Sequence, residues 1–182
     1  MEIRLAAMDD LAAVTALEAV CFPPAEAAQE DSFRARLAAY PNHFWLLEDE
    51  GRLVSFVNGL VTDMYDLTDE MFDDASYHNE NGAWQMIFGV VTHPDYQYRG
   101  CAEKLLHYVV EQARRQGRKG LVLTCKEHLL HFYGKVGFVD EGISGSTHGG
   151  AVWHKMRLTF WQMAGKGGSI SPLPFFKRVC YT

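Results

Sequence analysis

Gln97-Tyr98-Arg99-Gly100-Cys101-Ala102 connects a strand-like apolar run, residues 84–92, to a run with helical periodicity, residues 102–113. A strand, a tight turn and a helix start together direct several free backbone N–H groups, and the positive end of a helix dipole, at one point. Gly100 and the small Ala102 leave room for an anion at that point. The six residues therefore predict a phosphate-binding turn.

A second motif, Tyr133-Gly134-Lys135-Val136-Gly137-Phe138, follows downstream. The spacing of residues 97–102 is Gln/Arg-x-x-Gly-x-Gly/Ala, the pyrophosphate signature of the GNAT N-acetyltransferases, and the second motif resembles that family's Tyr-x-x-x-Gly-Phe. The chain resembles the superfamily over residues 3–158. Residues 43–59 and 121–138 are most similar to the arylalkylamine (serotonin) N-acetyltransferase branch.

The resemblance implies both a fold and an activity. The implied α/β fold has a mixed, mostly antiparallel sheet with a central, splayed pair of parallel strands and helices on both faces. The implied activity is direct transfer of an acetyl group from acetyl-coenzyme A to the primary amine of a small molecule, an arylalkylamine or a polyamine, with no metal. A protein N-terminal or lysine acetyltransferase is an alternative, and a non-catalytic acyl-coenzyme A sensor is another.

The resemblance also implies where coenzyme A binds. In the family a bulge splays the central strand, so that its backbone pairs with the pantetheine arm as an added strand would. Gly89 suits such a bulge, although a strand glycine can also make room for a packed aromatic ring. The implied contacts are Phe88, Gly89, Val90, Val91, Gln97, Tyr98, Arg99, Gly100, Cys101 and Ala102.

Tyr133 occupies the family's general-acid position by resemblance. A phenol, with a reference pKa of about 10, is a competent proton donor to the departing thiolate of coenzyme A. A half-buried tyrosine on an amphipathic helix is the structural alternative. Cys101 and Cys125 have no evident histidine and acid partners in the sequence, so a covalent acyl-enzyme is not expected.

The general base is less evident. The arylalkylamine branch places two histidines on the central strand, where this chain has Met86 and Phe88. The candidates that remain are His148, in a loop expected to border the acceptor, and Glu127; Gln85 and a water chain are further substitutes. Without a tuned base, the rate at low substrate is expected to rise with pH toward the pKa of the amine itself.

Composition limits the class of protein. The 182 residues are 48% hydrophobic with a net charge of −6, which predicts one domain with a tail and no nucleic-acid partner. The resemblance implies that this domain, over 1–160, is the acetyltransferase. Residues 161–182 are expected to form a tail that docks on this domain or on a neighbouring chain, and a homodimer is one such assembly. The N-terminus does not resemble a signal peptide and no run is long enough for a membrane span, so the sequence predicts a cytoplasmic protein without membrane contact.

Hydrophobic periodicity predicts alternating strands and helices. Leu11, Val14, Leu17 and Val20 are expected to form the buried stripe of the first helix. An acidic connection over residues 62–82 is expected to hold one short helix near 69–72. The predicted strands cover 2–6, 44–47, 53–61, 84–92, 121–125, 138–142 and 151–158, and the predicted helices cover 9–21, 25–40, 102–113 and 128–136.

Overall fold

The computed structural model describes residues 1–160; the predicted tail, residues 161–182, lies outside the described residues. The strands are β1 (Glu2–Leu5), β2 (Phe44–Asp49), β3 (Arg52–Asn58), β4 (Val61–Thr62), β5 (Trp84–Ile87), β6 (Gly89–Thr92), β7 (Gly120–Cys125), β8 (Val139–Ile143) and β9 (His154–Thr159). The α-helices are α1 (Leu11–Cys21), α2 (Glu30–Ala39), α3 (Glu70–Asp73), α4 (Cys101–Arg115) and α5 (Leu130–Val136).

The strands form a four-stranded sheet in the order β1-β2-β3-β6 and a five-stranded sheet in the order β4-β5-β7-β9-β8. Among the described strands, β5 and β7 pair in parallel, and the other pairs are antiparallel. The crossover between β5 and β7 runs through α4, as predicted. The predicted mixed, mostly antiparallel architecture with a central parallel pair is therefore confirmed, with two sheets in place of one.

Two neighbouring stretches of chain pass from one sheet to the other at the same level. β3 leads into β4 across residues 59–60, and β5 leads into β6 across Phe88. Main-chain hydrogen bonds continue through the crossing, because Phe88 N donates to Asn58 O over 2.8 Å. The prediction of single strands over 53–61 and 84–92 is therefore wrong: each run is divided where the chain changes sheets.

The divided strand opens a wedge beside β7. Ile87 still pairs with Leu123, but Thr124 and Cys125 pair only on their other side, with β9. The chain turns away at Phe88 and joins β3 as β6. This is the predicted splay of the central pair.

Helices cover both faces of the first sheet, because side chains alternate along β2. Phe44 and Leu46 pack with α1 and α2 in one cluster, whereas Trp45 and Leu47 pack with α4 in another. Burying one such side chain fully is worth about 1.5–3 kcal/mol. The two clusters thus hold the wedge between rigid layers.

The first two helices differ from their predicted form. Val20 is exposed rather than buried, and Glu18 occupies the inner face of α1. α2 begins at Glu30 instead of residue 25, because the Ala28 N–H is bonded to the Glu18 carboxylate and not to a helical carbonyl. The inner face of α1 thus carries an acid.

Other boundaries shift by a few residues. β9 begins at His154, three residues later than predicted, and α5 begins at Leu130 after a 3-10 turn, Glu127–Leu129. α3 confirms the short helix expected in the acidic connection. Among the helices within residues 1–160, none has the length and apolar character that crossing a membrane requires.

Candidate active site

The wedge between β6 and β7 opens into a cavity of about 210 Å³. Its floor is formed by the diverging strands and by α5, and its walls by α1 and α2. Its roof comes from three connecting segments: residues 22–29, the end of α3, and the loop before β9. The lining residues are Glu18, Phe22, Glu26, Ala27, Ala28, Gln29, Ser32, Arg36, Asn58, Phe72, Asp73, Phe88, Gly89, Val90, Thr124, Cys125, Leu129, Tyr133, Ser146, His148 and Trp153.

Tyr133 contributes to the cavity floor from α5. Its side chain is buried, and burial raises the pKa of its phenol above the ordinary value, with the neighbouring Cys125 acting in the same direction. Tyr133 is therefore a neutral phenol that can donate its proton. Burial also raises the pKa of the Cys125 thiol to about 11, so this sulfur is protonated near neutral pH and is a poor nucleophile.

Residues 97–102 form an exposed turn at the start of α4. Gly100 takes the left-handed conformation, φ +76°, at the cap of the helix. The first bond of the α4 ladder is donated by Lys104 N to Gly100 O over 2.9 Å. The N–H groups of Cys101, Ala102 and Glu103 precede that bond and have no carbonyl within the helix to bond to. The turn thus presents the free donors that the sequence predicts.

Side chains around this turn leave its backbone accessible. The Arg99 guanidinium lies over the Tyr96 ring, 5.3 Å from its centroid, and Tyr98 is fully exposed with φ +59°. Gln97 donates from Nε2 to Thr92 O over 3.4 Å. Cys101 points into the core, so only its backbone faces the turn.

β6 connects the turn to the cavity. Within residues 1–160, β6 pairs with β3 on one side and has no partner strand on the other, where β7 diverges. Gly89 and Val90 line the cavity directly, whereas Val91 packs against the α1 and α2 cluster. A free strand edge beside a cavity can pair with an extended ligand.

Glu18 is a functional candidate that sequence reasoning missed. Its Oε1 accepts the Ala28 N–H over 3.1 Å, and its Oε2 is buried without a partner among the described residues. Burial raises the pKa of Glu18 to about 7, although the bond from Ala28 and the charges of Arg36 and His148 oppose the rise. A signal was present in the sequence, because Glu18 follows Val14 by one helical turn on the apolar face.

Of the two predicted bases, the structure brings His148 to the cavity and leaves Glu127 outside it. His148 stacks on Phe72, with ring centroids 5.4 Å apart and an interplanar angle of 12°. Its Nε2 lies 3.1 Å from Glu26 O and therefore carries the hydrogen, which leaves Nδ1 as an acceptor. Glu127 is exposed in the 3-10 turn before α5 and is not among the lining residues.

Polar contacts tie the roof segments together. The Ser146 hydroxyl and the Thr147 N–H both donate to the Asp69 carboxylate, the second over 3.0 Å. Lys126 forms a 2.8 Å ion pair with Glu26. The His148 Nε2–H bonds Glu26 O, so the loop before β9, the acidic connection and the segment before α2 meet above the cavity.

A group of possible metal ligands lies away from the cavity: His43, His78 and Glu80. His78 Nδ1 accepts the Val61 N–H over 3.2 Å, so the hydrogen of its neutral ring sits on Nε2, the atom that faces Glu80. A metal would need a lone pair on that nitrogen. The Arg118 guanidinium also bonds the Glu80 carboxylate over 3.0 Å. These contacts suit a hydrogen-bonded network rather than a metal centre.

In a comparison with protein families, residues 11–138 match the model of the acetyltransferase (GNAT) family. An uncharacterized N-acetyltransferase, ycf52 of Porphyra purpurea, is 30% identical over 69 residues, 37% of this chain and 40% of that protein. The serotonin N-acetyltransferase of Mesocricetus auratus is 27% identical over 112 residues, 61% of this chain and 53% of that protein. The matches thus span about half or less of these relatives.

Solved structures share the fold at low identity. The loading GNATL domain of CurA from Lyngbya majuscula superposes with a TM-score of 0.76 and 17% identity, covering 87% of this chain and 96% of that one. YncA of Salmonella typhimurium, a putative acetyltransferase solved with its cofactor acetyl-CoA, superposes with a TM-score of 0.66 and 20% identity. The superposition covers 93% of this chain and 99% of that one.

Proposed function

The chain belongs to the acetyltransferase (GNAT) family, and on that premise we propose that it transfers the acetyl group of acetyl-coenzyme A directly to the primary amine of a small molecule, without a metal. Arylalkylamines and polyamines are the acceptor types included in this proposal. The similarity to the serotonin N-acetyltransferase supports the arylalkylamines.

The closed roof is the observation that carries the choice of a small acceptor. The cavity holds about 210 Å³, less than the roughly 300–1,000 Å³ of pockets that enclose drug-sized ligands. Asp69 on one roof segment is bonded to Ser146 and Thr147 on another. A peptide or protein acceptor needs an open groove, whereas these bonds join two of the segments that border the cavity.

The turn at residues 97–102 and the free edge of β6 support binding of acetyl-coenzyme A. The N–H groups before the first α4 bond would hold the pyrophosphate, and the edge of β6 would pair with the pantetheine arm. The dipole of one helix start contributes only about 0.3–1 kcal/mol to an anion. Most of the affinity must therefore come from several hydrogen bonds and from pantetheine packing along Gly89 and Val90.

Tyr133 and Glu18 supply the two proton transfers in this proposal. The Glu18 carboxylate accepts a proton from the ammonium, and the free amine attacks the acetyl carbonyl carbon. The carbon–sulfur bond breaks, and the thiolate takes the proton of the Tyr133 phenol. The second proton that leaves the amine nitrogen then restores the phenol. The pKa of an alkylammonium lies about six units above that of an ordinary glutamate, but only about three units above the raised pKa of Glu18.

His148 has a different part in the proposal. Because its Nε2–H is bonded to Glu26 O and its ring stacks on Phe72, it closes the roof. Its free Nδ1 offers an acceptor to the incoming amine, and it remains the base that the sequence predicts. Replacing Glu18 and His148 one at a time distinguishes which of the two residues is the base.

A screen of acetyl-coenzyme A consumption tests the proposed function. The panel pairs small primary amines with peptides that carry a free N-terminus or a lysine. Turnover of small amines with little turnover of peptides is expected. Comparable turnover of a peptide would point to a protein acetyltransferase, and coenzyme A binding without turnover of any amine would point to a sensor.

A further inference from the structure

Arg36 is a buried cation in the cavity wall whose partners are all neutral. Its guanidinium donates to Asn58 Oδ1 over 3.1 Å and to Phe72 O over 2.8 Å, and the Tyr40 hydroxyl is a further neutral contact. Its Nε is buried without a partner. Among the ion pairs formed by residues 1–160, none includes Arg36 within 4 Å.

Glu18 lines the same cavity and is equally unpaired. Its Oε2 is buried with no partner, and no described cation lies within salt-bridge distance of its carboxylate. The charges of Arg36 and His148 act on Glu18, and those of Glu18 and Asp73 act on Arg36, but at longer range than an ion pair. Glu18 and Arg36 thus line one cavity with opposite charges, each with a polar atom unsatisfied and neither bonded to the other. Asp73 and Glu26, which pairs with Lys126, are the other acidic positions of the cavity.

We propose that the acceptor is a zwitterion, a primary amine that also carries a carboxylate, with its carboxylate on Arg36 and its ammonium at Glu18. This inference rests on the proposed function, because it names the class of amine that the same cavity takes. It replaces an arylalkylamine or a polyamine, neither of which carries a carboxylate, with an amino acid or a related amino carboxylate as the acceptor.

The chemistry of the two groups fits such a ligand. A guanidinium has five N–H donors in a planar fork that matches a carboxylate, and Arg36 spends few of them on Asn58 and Phe72. Its plane already lies over the Phe88 ring, 4.9 Å from the centroid, at the wedge where the acetyl group would arrive. A carboxylate bound there would compensate the buried charge and fix the amine relative to the floor.

Matched acceptors test the proposal. Each pair differs by a carboxylate: phenylalanine and 2-phenylethylamine, lysine and cadaverine, 4-aminobutyrate and propylamine. With acetyl-coenzyme A, wild-type kcat/KM is expected to favour the carboxylated member of at least one pair by about 10-fold or more, the usual scale of a charge-assisted hydrogen bond. Arg36→Met should bring that ratio close to one, and Arg36→Lys should retain part of it.

The ratio is measured within one preparation, so a smaller folded fraction in a variant cancels. Arg34→Met is the control, because Arg34 lies on the same helix but is exposed and paired with Glu30. It should leave the ratio unchanged. Preference for the plain amine in every pair, or a preference that survives Arg36→Met, would overturn the proposal.

Two further experiments answer separate questions. The first shows whether the carboxylate belongs to the acceptor or to the acyl donor, and the second distinguishes failure of this inference from failure of the proposed function. Succinyl-coenzyme A replaces acetyl-coenzyme A in the first experiment: if Arg36→Met alters only the choice of acyl donor, the carboxylate belongs to the donor and the proposal is wrong. If no amine is acetylated, the proposed function fails, and thermal shift with coenzyme A present decides the inference. Stabilisation by the carboxylated member of a pair, lost in Arg36→Met, would support it; equal shifts for both members would overturn it.

Discussion

Gly59 lies directly against the main-chain carbonyl of Met86: a Cβ placed on Gly59 would sit 1.8 Å from Met86 O. Gly59 lies where β3 leads into β4, and Met86 lies two residues before the second crossing at Phe88. Met86 N donates to Leu60 O over 2.8 Å. The wedge that holds the cavity opens one residue beyond Ile87. The close approach of the two backbones therefore shapes the site without contributing a side chain to it.

Gly59→Ala is expected to lower the free energy of unfolding by about 2–4 kcal/mol, since a rigid main-chain oxygen must move to admit the methyl group. Gly134→Ala is the matched control, because it lies inside α5 with open space around its Cβ position, and it should stabilise by about 0.5–1 kcal/mol. Urea unfolding of both variants measures the difference. Equal midpoints would show that the crossing is not tightly packed.

Gly100→Glu should weaken binding of acetyl-coenzyme A, because a carboxylate at the turn repels the phosphates and a side chain strains φ +76°. Gly117→Glu carries the same strain, φ +74°, at the other end of α4, and should bind normally. Calorimetric titration compares the two variants. Unchanged affinity in Gly100→Glu would remove the phosphate site from residues 97–102.

Tyr133→Phe should lower turnover by about 100-fold or more, within the range for loss of a general acid, and leave coenzyme A affinity nearly unchanged. Tyr108→Phe, at a partly exposed position on α4, is the control and should behave as wild type. Steady-state rates and calorimetry on the best amine separate the two effects. Turnover of Tyr133→Phe within a few-fold of wild type would remove the phenol from the mechanism.

Glu18 makes the stability of the protein depend on pH. Its folded pKa, about 7, lies above the ordinary value of 4.5, so the folded state binds more protons between those values. The favourable contribution is present below about pH 4.5 and is lost as pH rises through 7. Glu18→Gln should therefore stabilise the protein more at pH 8 than at pH 5, by up to about 3 kcal/mol. Denaturation at both pH values tests this, with the exposed Glu111→Gln as the control.

The Glu18 carboxylate should also determine how kcat/KM depends on pH. If Glu18 accepts the ammonium proton, kcat/KM levels off above about pH 7, and Glu18→Gln converts the plateau into a rise that continues toward the pKa of the amine. A wild-type profile that already rises without a plateau would instead match the behaviour expected from Met86 and Phe88 alone. A plateau lost only in His148→Ala would assign the base to His148.

The sequence was informative where one local pattern decides the structure. The turn at Gly100 and the crossover through α4 follow from a glycine at a strand-to-helix turn and from a 3.6-residue period. The resemblance implied a bulge near Gly89 that splays the central strand. The division of both runs, at residues 59–60 and at Phe88, followed from no local pattern, because it brings together Gly59 and Met86, which are distant in sequence.

The cavity was predicted only in part, because its charged residues come from separate elements. Glu18 was overlooked because the buried stripe of α1 was continued from Leu17 to Val20, whereas the buried face instead includes Glu18, one helical turn after Val14. Arg36 carried no signal of its own, since an arginine on a helix is ordinarily solvated. Glu127 was named as a remaining candidate base, but it is exposed in the 3-10 turn before α5.

The floor and the roof of the cavity share no residue. The floor consists of Phe88 to Val90, Thr124, Cys125 and Tyr133, in or directly beside strands and a helix. The roof consists of connecting segments and the end of the short helix α3. Substitutions in loops disturb a fold less than substitutions in strands. Proteins with this architecture can therefore change their acceptor through substitutions in these three short segments. In protein design, the segments can be exchanged between relatives while the floor residues beside the acyl donor are kept.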